Sequence, residues 1–152
     1  MGHQISGMVA RRETLAALEA PFDGQPSFAL TEDFAFLPLD DENLDAVVGL
    51  NAGPVIGGFR YLTARLIDTL RAASLHGDLA YVETEYFGGV GGQGAIAFAG
   101  QKIAFGPEFG DGHAINDALA ILGVKSGTAH RDAFSAIGLD RYRANDRFAG
   151  RL

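Results

Sequence analysis

The spacing of hydrophobic and polar positions changes several times along the chain, and each change marks an element. Gln4 to Ala10 alternates weakly through Ile5, Met8 and Val9, as a strand does. From Arg11 to Ala20 the spacing of Leu15 and Leu18 is helical, and Pro21 stops the run. Ser27 to Thr31 and Phe34 to Leu39 are apolar, aromatic-bearing runs separated only by Glu32 and Asp33. A link that short cannot make a parallel crossover, so the two runs predict an antiparallel pair. Asp40 or Asp41 can cap a helix carrying Leu44, Val47 and Val48, which ends near Gly49. The clearest helical pattern runs from Phe59 to about Leu75. Phe59, Leu62, Leu66, Leu70 and Ala73 share one side, and Arg60, Arg65, Asp68 and Arg71 point elsewhere.

Beyond it, Asp78 to Phe87, Gly94 to Ala99 and Gln101 to Phe105 read as a three-strand meander that turns at Gly100. Ile115 to Leu122 repeats Ile115, Leu119 and Leu122, and Gly123 with Val124 supplies a helix C-terminus. His130 to Ile137 predicts a last short helix between Thr128 and Gly138, and from about Asp140 a polar tail drapes over the surface. No repeat or break in composition divides the 152 residues. The expected architecture is therefore a single α+β domain. Its mainly antiparallel sheet consists of an N-terminal strand, a hairpin and the meander, packed by four to five helices.

Composition sharpens this picture in three ways. The 21 glycines are about twice the usual ~7% and sit in pairs and clusters, which implies many tight turns. Cysteine is absent, which excludes disulfides, thiolate metal sites and a cysteine nucleophile together. The net charge of −7 is polarised: Glu13 to Asp45 holds acids and no Lys or Arg, whereas Lys125, Arg131, Arg141, Arg143, Arg147 and Arg151 enrich the end. Such a field disfavours nucleic acid and favours a basic protein partner, or docking of the tail on the acidic third; equally, acidity keeps a glycine-rich protein in solution. With no basic start before an apolar run, and no run of ~18 apolar residues, neither leader nor membrane span is expected, and the expected location is the cytoplasm.

Gly89-Val90-Gly91-Gly92-Gln93-Gly94 matches the spelling of a dinucleotide-binding loop. In such a site the last glycine opens a helix that holds the pyrophosphate, but Ala95 to Ala99 is too short a run before Gly100. The segment reads instead as a wide hairpin loop, and no cofactor is implied. In the strand before it, Tyr81, Glu83, Glu85 and Phe87 share a face. The two carboxylates stand roughly 7 Å apart, from a rise of ~3.4 Å per residue. They suit acid and base roles or a hard cation, yet a meander commonly shows one face to water, where carboxylates among aromatics need no catalytic role. Asp111-Gly112-His113 could supply a base with its orienting acid, or two metal ligands. The simpler reading caps the following helix with Asp111 and leaves His113 in water. His3, His76 and His130 stand alone, and no serine lies in a G-x-S-x-G elbow.

Glu83-Thr84-Glu85-Tyr86-Phe87-Gly88-Gly89 with Gln93-Gly94-Ala95, Ile115-Asn116-Asp117-Ala118-Leu119 and Gly138-Leu139-Asp140-Arg141 resembles a group of small uncharacterised bacterial proteins. That resemblance implies no activity and transfers no catalytic residue. In character the chain is also similar to small acidic bacterial proteins that act as immunity proteins. The leading expectation is a non-catalytic protein-binding protein, of the immunity or accessory kind, contacting a partner through Tyr81, Glu83, Glu85, Phe87, Gly89, Gly91 and Gln93. The alternatives are a small metal-dependent or acid/base enzyme using Glu83, Glu85, Asp111 and His113, and a homo-oligomeric structural protein, such as a homodimer.

Overall fold

The computed structural model describes residues 2–19, 22, 27–30, 33–39, 44, 54–87, 90–110 and 113–124. Strands β1 (Gly2–His3) and β2 (Ser6–Arg11) lead into helix α1 (Arg12–Leu18), followed by β3 (Phe28–Ala29) and β4 (Phe34–Pro38). Helix α2 (Ala64–Ala73) runs into a 3-10 turn at Ser74–His76. The meander β5 (Leu79–Phe87), β6 (Val90–Ala99) and β7 (Lys102–Gly110) precedes α3 (Ala114–Ile121).

Six strands form one antiparallel sheet in the order β3-β4-β2-β5-β6-β7, and β1 pairs with the far end of β5. Helices cover both faces. On one, Ile115, Ala118 and Leu119 of α3 pack with Val9, Phe36, Ala80, Val82, Ala95 and Ala97. On the other, Leu15 and Leu18 of α1 and Leu66, Leu70 and Ala73 of α2 pack with Met8, Leu37, Leu79, Tyr81, Ile96 and Phe98. This two-sided cover explains why β2 and β4 are buried almost throughout rather than alternating apolar with polar.

The α+β class, the antiparallel sheet, the early hairpin and the meander agree with the sequence pattern, but the helix count does not. Among the described residues there are three α-helices, not four to five. Of the helix expected after Asp40, only Leu44 is described, helical and buried, and the helix expected at His130 lies outside the described residues. Helix α2 also starts later than its apolar spacing suggests. Thr63 caps it by accepting from the Leu66 N–H at 3.1 Å, while Phe59 to Leu62 form an irregular lead-in, in which the Ile56 N–H donates to the Leu62 carbonyl at 2.7 Å.

The second correction concerns the glycine run. Gly91 to Gly94 lie within β6, and the expected wide loop shrinks to the two residues between Phe87 and Val90. Space is the reason for Gly92 and Gly94. A Cβ on Gly94 would stand 2.5 Å from the Phe109 ring and 2.6 Å from the Phe59 ring, and one on Gly92 would stand 2.7 Å from Phe109. Phe59 and Phe109 pack edge to face, centroids 5.4 Å apart, over the groove these glycines leave.

Candidate functional site

Strand β5 sends Ala80 and Val82 toward α3, and Leu79 and Tyr81 toward α2. By the same alternation Glu83 and Glu85 point to the α2 side. That side is not open to water where the acidic and aromatic surface was expected. Tyr81 is fully buried and Glu83 is only 4% exposed, because the segment leading into α2 lies across them.

Burying a carboxylate is costly unless donors replace its water. Glu83 has three. Its Oε1 accepts from the Arg60 backbone N–H at 2.6 Å, and its Oε2 accepts from the Tyr61 N–H at 2.9 Å and from the Tyr81 hydroxyl at 2.7 Å. Two consecutive backbone amides thus grip one side chain, fastening the Gly57–Tyr61 segment to the sheet and setting the approach of α2. Burial pushes the Tyr81 pKa well above its ordinary value, and the adjacent Glu83 charge pushes it further. The phenol stays protonated and donates. A carboxylate with both oxygens engaged and closed to solvent is a clamp rather than a reachable base.

Glu85 lies beyond this cover. Its Oε1 meets Arg60 Nη2 at 3.6 Å, with the two side chains 46% and 40% exposed, and the Arg60 guanidinium sits 5.7 Å from the Tyr61 ring centre. Such a half-exposed pair contributes at most about 1 kcal/mol.

Gly91 is exposed on β6 opposite Tyr86; Phe87 is placed by its backbone opposite Val90; Gly89 lies outside the described residues. Gln93 points to the α3 face, where its Oε1 accepts from the Ile115 N–H at 2.9 Å. It therefore satisfies one of the free amides that begin a helix, the task expected of Asp111. Asp111 itself lies outside the described residues, and His113 is exposed at the start of α3 without a capping bond from its side chain. Glu83 and Glu85 lie on the α2 side of the sheet, and His113 opens the helix that packs on the other. Among the described residues no group of three or more His, Asp or Glu side chains is placed to hold a metal ion.

The residues missed by sequence reasoning are Arg60 and Tyr61. They act through backbone amides, which every residue but proline carries, so no side-chain signal marks them. Among the described residues no helix is long and apolar enough to cross a membrane. Compared with protein-family models, with curated proteins and with solved structures, the chain matches none.

Proposed function

We propose that the chain is a non-catalytic protein-binding protein, of the accessory or immunity kind, whose contact surface is β7 rather than Tyr81 and Glu83. The observation that carries the proposal is the exposure of β7. It closes one end of the sheet, and seven of its nine residues are exposed, Ile103, Ala104 and Pro107 among them, while Phe105 and Phe109 are half-buried against the two cores. The opposite edge strand, β3, has two residues.

A partner of β7 reads side chains more than backbone. Gly106 and Pro107 together face the single residue Ile96, and Ala104 has no opposite residue at all. Bulges and a proline are the usual defences of an edge against strand addition. Ile103, 39% exposed, supplies apolar contact, while Glu108 and the net charge of −7 favour a basic partner.

Affinity capture with wild type and with an Ile103→Asp, Ala104→Arg variant tests the proposal, since both positions are exposed and tolerate polar groups. The variant is expected to lose a protein that wild type retains. If both retain the same proteins, or neither retains any, the proposal fails. Light scattering on the same pair addresses the homodimer: a wild-type dimer that the variant converts to monomer makes the partner a second copy.

A further inference from the structure

A second feature lies at the other end of β5, away from Glu83, Glu85 and β7. Where β2 passes into α1 and the 3-10 turn returns to β5, a concavity of about 290 Å³ opens. Its floor includes Phe34 and Thr14, both buried, and its walls include Arg11, Glu13, His76 and Asp78, all exposed. These residues come from β2, α1, β4, the 3-10 turn and the link into β5, so only the tertiary fold assembles them.

The shape depends on Gly77. Its φ of +151° suits glycine, and a Cβ there would collide with the Thr14 side chain. The backbone can therefore lie directly against Thr14 and leave the space above it open. Arg11 is held in place, its guanidinium 4.8 Å above the Phe34 ring. Asp78 is steadied as well, one carboxylate oxygen accepting from the Gly100 N–H at 3.3 Å.

We propose that this concavity binds a small zwitterion, with an anionic group on Arg11 and a cationic group on the Glu13 and Asp78 side. The charge pattern argues against simpler ligands. A plain anion would gain Arg11 but face two carboxylates, and a plain cation would gain the carboxylates but face the guanidinium. Among the described residues no group of three or more His, Asp or Glu side chains is placed to hold a divalent metal. A molecule carrying both charges satisfies each wall, and the volume, equal to about ten waters at roughly 30 Å³ each, limits it to the size of an amino acid.

The test is a titration followed by nuclear magnetic resonance at the Gly77 and Asp78 amides and the His76 ring. The probes are β-alanine, 4-aminobutyrate and 6-aminohexanoate, which vary the charge separation, with butyrate, butylamine and erythritol as single-charge and neutral controls. At least one zwitterion is expected to give saturable shifts and to bind about ten-fold more tightly than every control, the worth of one charge-assisted hydrogen bond. Arg11→Ala and Glu13→Gln, both at exposed positions, are each expected to weaken it by about ten-fold while the rest of the spectrum is unchanged. No saturable shift with any zwitterion, equal binding of a control, or full binding by Arg11→Ala overturns the proposal. Should Arg11→Ala disturb the wider spectrum, Arg11→Lys keeps the charge and decides: retained zwitterion binding supports the site, and its loss with an intact spectrum overturns the charge argument.

Discussion

Glu83 is buried and accepts three hydrogen bonds, whereas Glu85, two residues further along the same face of β5, is half exposed and meets one guanidinium at 3.6 Å. Residue type, strand and face are identical. What differs is a segment more than twenty residues away in sequence, whose Arg60 and Tyr61 amides reach Glu83 and whose Arg60 side chain reaches outward to Glu85. A carboxylate on a strand therefore has no fixed role; the cover laid over it decides whether it is structural or available.

The strongest way to break this contrast is Glu83→Ala, which strands two part-buried amides and a buried phenol. It is expected to cost about 3–4 kcal/mol, given 1–3 kcal/mol for each unsatisfied buried group, measured as a shift of the urea midpoint. Hydrogen exchange at the Arg60 and Tyr61 amides should rise more than at the sheet amides. A cost below about 1 kcal/mol would show that the clamp is not what holds the segment.

Tyr81→Phe comes next, because Glu83 keeps both amides and loses one donor; about 1–2 kcal/mol is expected. Its pH signature is specific. The folded state holds the Tyr81 pKa above its ordinary 10.0, so its contribution is complete below that value and declines as pH rises through 10 toward the folded pKa, because the unfolded chain releases the proton first. Wild type should lose stability in that window more steeply than Tyr81→Phe. Parallel curves would contradict the burial of the phenol.

The smallest effect is expected from Glu85→Gln. Loss of a half-exposed pair should cost under about 1 kcal/mol and vanish in high salt. If Glu85→Gln rivalled Glu83→Ala, the distinction between the covered and uncovered stretches of β5 would collapse.

Much of this architecture is legible in the chain. The apolar spacing of Leu66, Leu70 and Ala73 locates α2, the short link at Glu32 and Asp33 implies the antiparallel hairpin, and Gly123 with Val124 marks the end of α3. The misreadings share one cause. Phe59 falls on the helical period of α2, but the Glu83 clamp and the Thr63 cap keep it in the lead-in, so its ring serves the glycine groove instead. The glycines of β6 look like a loop because local pattern cannot show that two aromatic rings occupy the space above them. Gln93 carries no capping signature, since the helix it caps begins more than twenty residues later.

The sequence by itself determined the α+β class, the hairpin and meander, and the centres of α1, α2 and α3, together with the shared face of Tyr81, Glu83 and Glu85, because these follow from local period and reach. Only the tertiary structure decided that this face is covered at Glu83 and open at Glu85, and that Arg11, Glu13, His76 and Asp78 meet around one concavity. Both outcomes depend on backbone donors and packing between distant segments, and neither leaves a mark on the residues nearby in sequence.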